Sequence, residues 1–301
     1  MSAALGVCPT RTRLLHDRLF LLHPYPLQNK TDVKQRLLVT LLVLPPILLG
    51  LWAGVHWWAL VIYIVSTLGG LEYFALMAQG GYQPYRVMGM GWLLLLITSA
   101  WQPAILPLSL AITLGFIATF TLALFKTERP ILNWAITGIG ALYIGTMLGQ
   151  AVALRLLPNG LEWVFLSLAV AMLNDTFAYF VGVAGGKHKI WPRLSPKKSW
   201  EGTIGGWVAA GITGYVVVSL TAIPLSPWIG ALVGLVGGVL ALFGDLTISM
   251  LKRQVGAKDS GKIMPGHGGM LDRLDSLLFV IPFIHQVALL ALYLSRNKFP
   301  F

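Results

Sequence analysis

The chain has 301 residues; 56% are hydrophobic, only 11% are charged, and the net charge is +11. An average soluble domain carries roughly 25% charged residues, so a water-facing globular surface, a disordered chain and a nucleic-acid binder with a basic polar surface are all excluded. What fits is an all-α polytopic membrane protein. A single Cys8 forms neither an intrachain disulfide nor a metal-binding cysteine cluster. Thirty-three glycines suit helices that pack closely in a membrane.

In chain order, residues 1–36 read as a cytoplasmic arm. They contain no cleavable signal, because the apolar run Leu19–Leu22 is too short and lacks a small-residue cleavage site. Leu14–Leu22 is either a surface-lying amphipathic piece or part of a poorly ordered terminus. A window of about 20 apolar residues then places spans at Leu37–Gly54, Trp57–Met77, Val87–Trp101, Pro103–Phe125, Ile131–Leu154 and Leu161–Val183. Three more fall at Thr203–Ile223, Trp228–Met250 and Ser276–Ser295, about nine in all. Val87–Trp101 is short, and eight spans with a re-entrant hairpin there is the alternative. Residues 37–160 form an N-terminal group of membrane helices, and 161–301 hold the catalytic helices and loops.

With the N-terminus in the cytoplasm, 19 of the 22 Lys and Arg fall on the inner side. Only Arg155, Arg296 and Lys298 remain outside. That asymmetry sets the orientation and favours an odd number of spans.

Up to Gly160 the only acids are Asp17, Asp32, Glu72 and Glu128. Glu72 lies inside a predicted span, where a carboxylate is either functional or a charge paired near a helix end. Polar residues concentrate in two segments of the second half. One holds Asn174-Asp175, Gly185-Gly186-Lys187 and Ser195-Pro196-Lys197-Lys198-Ser199-Trp200-Glu201-Gly202. The other runs from Gly244-Asp245 through Lys252-Arg253 and Lys258-Asp259 to Gly266-His267-Gly268-Gly269 and Asp272-Arg273-Leu274-Asp275. Both face the cytoplasm in this topology.

Carboxylates interleaved with Lys, Arg and glycine-rich backbone suit a metal–phosphate site, since Mg²⁺ takes carboxylate and phosphate oxygens. Asp272 and Asp275 at i, i+3 share a helix face and repel unless a cation lies between them; the plainer reading has Asp272 capping the last span. Asp245 in an apolar span needs the same compensation. Lys197, Lys198, Lys252, Arg253 and Lys258 read as phosphate clamps, or as ordinary inner-side charge. His267 is better placed to shape the loop or donate a hydrogen bond than to act as a base, because a phosphate nucleophile is already ionised.

The run from Ser249 to Ser276, 28 positions with fixed spacing, resembles the signature of phosphatidate cytidylyltransferases, also called CDP-diacylglycerol synthases. Ser195–Gly202 is similar to a second family segment that usually has Thr at the place of Ser199. Lys34-Gln35-Arg36 and Glu72-Tyr73 are weaker similarities. The resemblance implies the reaction of CTP with phosphatidate to give CDP-diacylglycerol and pyrophosphate, with Mg²⁺ and a second, monovalent cation such as K⁺. It implies a homodimer in the bilayer, with no nucleic-acid partner; a bacterial inner membrane is the expected location. Asp245, Asp272 and Asp275 are then expected to bind metal, and Lys252, Arg253, Lys258, Asp272 and Arg273 to serve catalysis. Ser195, Lys197, Lys198, Ser199 and His267 are expected to bind substrate. Two rival functions share this chemistry in part: a CTP-dependent lipid kinase, and a secondary transporter of an anionic substrate. The transporter reading suffers from the absence of an internal repeat.

Overall fold

The computed structural model describes residues 45–261 and 268–296. The arm 1–36, the start of the first predicted span and His267 lie outside the described residues. Residues 45–52 are helical. Nine labelled helices follow: α1 (Val55–Gln79), α2 (Arg86–Trp101), α3 (Leu108–Leu124), α4 (Pro130–Leu156), α5 (Gly160–Gly185), α6 (Trp200–Leu220), α7 (Pro227–Gln254), α8 (Leu271–Leu274) and α9 (Leu277–Arg296). Six stretches are long and apolar enough to cross a membrane: α1, α4, α5, α6, α7 and the α8–α9 unit, as expected of an integral membrane protein. α2 and α3 have only 16 and 17 residues, shorter than a typical crossing.

Local chemistry explains the helix starts. Pro130 and Pro227 open α4 and α7 at the first helical turn, where a missing N–H costs nothing. Ser199 and Ser226 cap α6 and α7, accepting from Gly202 N and Ile229 N. Between α5 and α6 the chain makes an element that hydropathy does not announce. Lys189–Trp191 (β1) and Ser195–Ser199 (β2) form an antiparallel hairpin where the sequence suggested only a loop.

The N-terminal helices are tied through α4: the Trp58 indole donates to the Ala151 carbonyl at 2.9 Å, and the Tyr73 hydroxyl to that of Ile136 at 3.1 Å. In the second half, α6 lies between α5 and α7. Gly202, Gly206, Ala210 and Gly214 recur every fourth residue on α6, as do Gly230, Gly234 and Gly238 on α7. A Cβ on Gly214 would stand 2.0 Å from the Gly230 carbonyl oxygen, and one on Gly234 2.1 Å from that of Ala210. The two backbones therefore touch, the close approach that small residues permit in membrane helices. α9 joins the halves, packing on α4, α5 and α7; His285 Nδ1 and Gln286 Nε2 both meet Gln150 Oε1, at 3.1 and 3.0 Å.

Gly234→Val should force α6 and α7 apart and leave little folded, monodisperse protein in size-exclusion chromatography in mild detergent. Gly91→Ala, where an added Cβ meets nothing within 4 Å, should leave the profile unchanged.

Candidate active site

A cavity of about 570 Å³ opens between α5, the hairpin, the start of α6, α7 and the α8–α9 junction. Its size falls within the roughly 300–1,000 Å³ of small-molecule sites. Four carboxylates line it, Asp175, Asp245, Asp272 and Asp275, together with three lysines of the hairpin, Lys189, Lys197 and Lys198. Asp175 lies some ten residues, roughly 15 Å along the axis, from the C-terminal end of α5. The cavity thus reaches well into the apolar part of the bundle.

Each acid has a different set of partners. Asp245 on α7 pairs with Lys198 at 2.6 Å and accepts from Ser249 Oγ at 3.2 Å. Asp175 accepts from Asn174 Nδ2 at 3.1 Å and from Ser276 Oγ at 3.0 Å. Asp275 stands where α8 breaks before α9 and accepts from the backbone N–H of Ser276 at 2.7 Å. Gly244 makes that junction possible, since a Cβ there would lie 2.3 Å from the Asp275 carbonyl oxygen. Asp175, Asp245 and Asp275 are within electrostatic range of one another. Among the described residues no ion pair reaches Asp175 or Asp275.

Asp272 is served differently. Its Oδ1 takes the Lys252 ammonium at 2.6 Å, and both side chains are largely buried. Its Oδ2 accepts from Ser260 N at 2.8 Å, Ser260 Oγ at 2.9 Å and Gly269 N at 3.1 Å. Lys252 supplies the opposite charge at Asp272 in this structure.

The other predicted residues divide by position. Lys197, Lys198 and Ser199 line the cavity; Ser199 is buried and its oxygen caps α6. Ser195 sits opposite Trp191 in the hairpin, outside the lining. Arg253 braces the backbone instead, its Nε donating to the Leu194 carbonyl at 3.4 Å and its Nη1 to that of Ala257 at 3.1 Å. Lys258 and Arg273 are exposed, outside the lining, and each is engaged in an interaction of its own.

Sequence reading missed three contributors. Asp175 stood out as a polar residue late in a span, but received no role. Lys189 passed for topological charge, yet it lines the cavity. Glu201 holds the chain between α5 and β1, accepting from Lys187 N at 3.1 Å and His188 N at 3.2 Å and meeting His188 Nδ1 at 2.6 Å. Its place in the first turn of α6, where an acid suits the helix dipole, is the available signal.

Donor chemistry here suits a hard divalent cation: carboxylate oxygens from three elements around one cavity, two of them without a cationic partner. The described residues contain no group of three or more His, Cys, Asp or Glu arranged to hold a metal by themselves. A cation would therefore take further ligands from substrate or water.

Comparison with known proteins places the chain. The profile of the Cytidylyltransferase family matches residues 34–291, so the chain belongs to that family. It is 37% identical over 174 residues to the phosphatidate cytidylyltransferase of Staphylococcus haemolyticus, covering 58% of this chain and 66% of the relative. Corresponding figures are 42% over 156 residues for that of Bacillus subtilis, with 52% and 57% covered. For that of Mycobacterium bovis they are 45% over 120 residues, with 40% and 39% covered. In these three alignments the chain thus spans between about two-fifths and just under two-thirds of the relative's length.

Removing one partner of the Lys252–Asp272 pair leaves a largely buried charge alone. Lys252→Met should cost about 3 kcal/mol of stability and lower the thermal unfolding midpoint of the detergent-solubilised protein by several degrees. Combining it with Asp272→Asn should restore part of that loss in the same assay.

Proposed function

We propose that the protein is a phosphatidate cytidylyltransferase, joining CTP and phosphatidate into CDP-diacylglycerol with release of pyrophosphate. The observation that carries this reading is the cavity in which Asp175, Asp245 and Asp275 face Lys189, Lys197 and Lys198 inside an apolar bundle. Family membership and relatives bearing that name support it.

In the proposed reaction a phosphatidate phosphate oxygen attacks the α-phosphorus of CTP. The new P–O bond forms as the bond from the α-phosphorus to the β-phosphate bridge breaks, and the electron pair leaves with pyrophosphate. The nucleophile is already an anion, so positioning and charge neutralisation are the main demands on the protein. Lys189, Lys197 and Lys198 hold phosphate oxygens at the cavity rim, while Lys252 stands beside it on Asp272. Asp245 and Asp275 would hold Mg²⁺ together with oxygens of substrate and water, with Asp175 beside them; Asp272, on the same wall, would join them only by exchanging Lys252. When bound, the cation neutralises charge on the CTP phosphates and on the leaving pyrophosphate. A monovalent cation such as K⁺ is proposed as its neighbour.

Arg253 supports the reaction by bracing the hairpin against α7, and Ser195, Ser199, Lys258, Arg273 and His267 complete the proposed polar set. We further propose about nine spans, a cytoplasmic N-terminus and cavity, a homodimer, and a bacterial inner-membrane location. The division into an arm (1–36), an N-terminal helical group (37–160) and a catalytic group (161–301) belongs to the same proposal. Inner-side bias of basic residues supports the orientation; in that orientation the cavity would open where an anionic lipid headgroup is drawn to basic surface.

CTP labelled in its α-phosphate distinguishes the functions. With purified protein, phosphatidate and Mg²⁺, the label should enter the lipid fraction. Label left in CDP would support a lipid kinase, and absence of CTP turnover would favour a transporter. Asp275→Asn should lower incorporation by about a hundredfold or more under saturating CTP and Mg²⁺; near wild-type turnover would remove the metal assignment.

A further inference from the structure

One ionisable group takes no part in the cavity. Glu72 lies in α1, seven residues before its C-terminal end, among the N-terminal helices, and is only 4% exposed. Its partners come from the other half of the chain. Oε2 accepts from the Leu271 backbone N–H at 2.9 Å, across 199 residues, and from Ser260 Oγ at 3.1 Å, across 188. Its Oε1 is buried with no hydrogen-bond partner among the described residues.

The receiving surface is shaped to admit this carboxylate. A Cβ on Gly261 would come within 2.4 Å of Oε1, and one on Gly269 within 2.3 Å of Oε2. Both glycines therefore allow the loop backbone to close around the side chain at a distance no other residue permits. Ser260, Gly269 and Leu271 are also the neighbours that surround Asp272: Ser260 N, Ser260 Oγ and Gly269 N all reach Asp272 Oδ2, and Oδ1 holds Lys252. The Ser260 hydroxyl has one proton and stands within hydrogen-bond distance of both Glu72 Oε2 and Asp272 Oδ2, so it is shared between the two carboxylates, and polar contacts run from Glu72 through Ser260 to Asp272 and Lys252 at the wall of the cavity.

We propose that Glu72 is a positioning residue: from the N-terminal helices it fixes the two strands of backbone that hold Asp272, and through Asp272 it sets where the Lys252 ammonium stands for substrate phosphate. An ionisable side chain in an apolar helix is costly unless it is used, and filling space would need no carboxylate. The consequence for activity rests on the cytidylyltransferase reading; the consequence for the backbone does not.

Three variants separate positioning from packing. In Glu72→Gln the amide oxygen can accept from both Leu271 N and Ser260 Oγ, so kcat/KM should stay within about threefold of wild type. Glu72→Leu keeps the bulk but accepts nothing, and should lower kcat/KM by about tenfold or more. Ser260→Ala breaks the same chain one step on. If Glu72 acts through Ser260, the double variant Glu72→Leu/Ser260→Ala should be no worse than the more impaired single variant, a non-additivity that independent packing defects do not give. Hydrogen–deuterium exchange on the intact, detergent-solubilised protein reads the backbone directly: in Glu72→Leu, the amides of Ser260, Gly269 and Leu271 should exchange faster while those of α5 and α6 stay unchanged. Wild-type turnover with unchanged exchange in Glu72→Leu, or fully additive losses in the double variant, would overturn the proposal. Failure of the wild-type protein to transfer label from CTP would instead remove the catalytic reading, and the exchange result would then decide on Glu72 alone.

Discussion

Ionisable groups inside an apolar bundle must each find a counter-charge, a set of hydrogen-bond donors or a ligand, and the arrangement of the second half follows from how that demand is met. Asp272 meets it completely, with Lys252 on one oxygen and Ser260 and Gly269 on the other. Asp245 meets it with Lys198, brought in from the hairpin. Asp175 and Asp275 meet it only in part, through Asn174 and the hydroxyl and backbone N–H of Ser276. All four line the cavity, and at Asp175 and Asp275, which have no cationic partner among the described residues, substrate and metal would supply the missing charge.

Close packing of backbones is what lets so many polar side chains meet in one place. Contacts between Gly214 and Gly230, and between Gly234 and Ala210, bring α6 against α7. The hairpin that starts α6 is thereby set over the acid of α7. Gly244 performs the same service at the α8–α9 break, admitting the Asp275 backbone next to Asp245. Bulk at these points would separate the carboxylates from the lysines before any chemistry was touched. Arg253 and Glu201 act at the rim, one bracing Leu194 and the other the turn before β1, so the lysine-bearing strand is held from both ends.

Hydropathy made the long helices legible, because a run of about 20 apolar residues has few alternatives to a membrane helix. The helices α2 and α3 are shorter, 16 and 17 residues, because the chain breaks at Gln102–Pro107 and again after Leu124. The hairpin left no periodic trace: Pro192, Pro196 and five basic residues between Lys187 and Lys198 read as loop, and its pairing follows from the proximity of α5 and α6. Asp245 and Asp275 could be singled out by residue type and spacing. Asp175 and Glu72 were visible as acids in spans, but their partners Ser276 and Leu271 lie 101 and 199 residues away. No local pattern encodes such contacts. Asp272 shows the converse limit, since an i, i+3 spacing with Asp275 does not reveal that Lys252 reaches one of the two first.

On the proposed function, Asp245 and Asp275, beside Asp175, gather a divalent cation onto nucleotide phosphates. Pulsed electron–nuclear spectroscopy of Mn²⁺ bound to the purified protein with a non-hydrolysable CTP analogue tests it directly. Phosphorus coupling to the bound Mn²⁺ is expected in the wild-type protein and should disappear in Asp245→Asn/Asp275→Asn. Phosphorus coupling of undiminished strength in that variant, or Mn²⁺ bound by the wild-type protein with no phosphorus nearby, would contradict it.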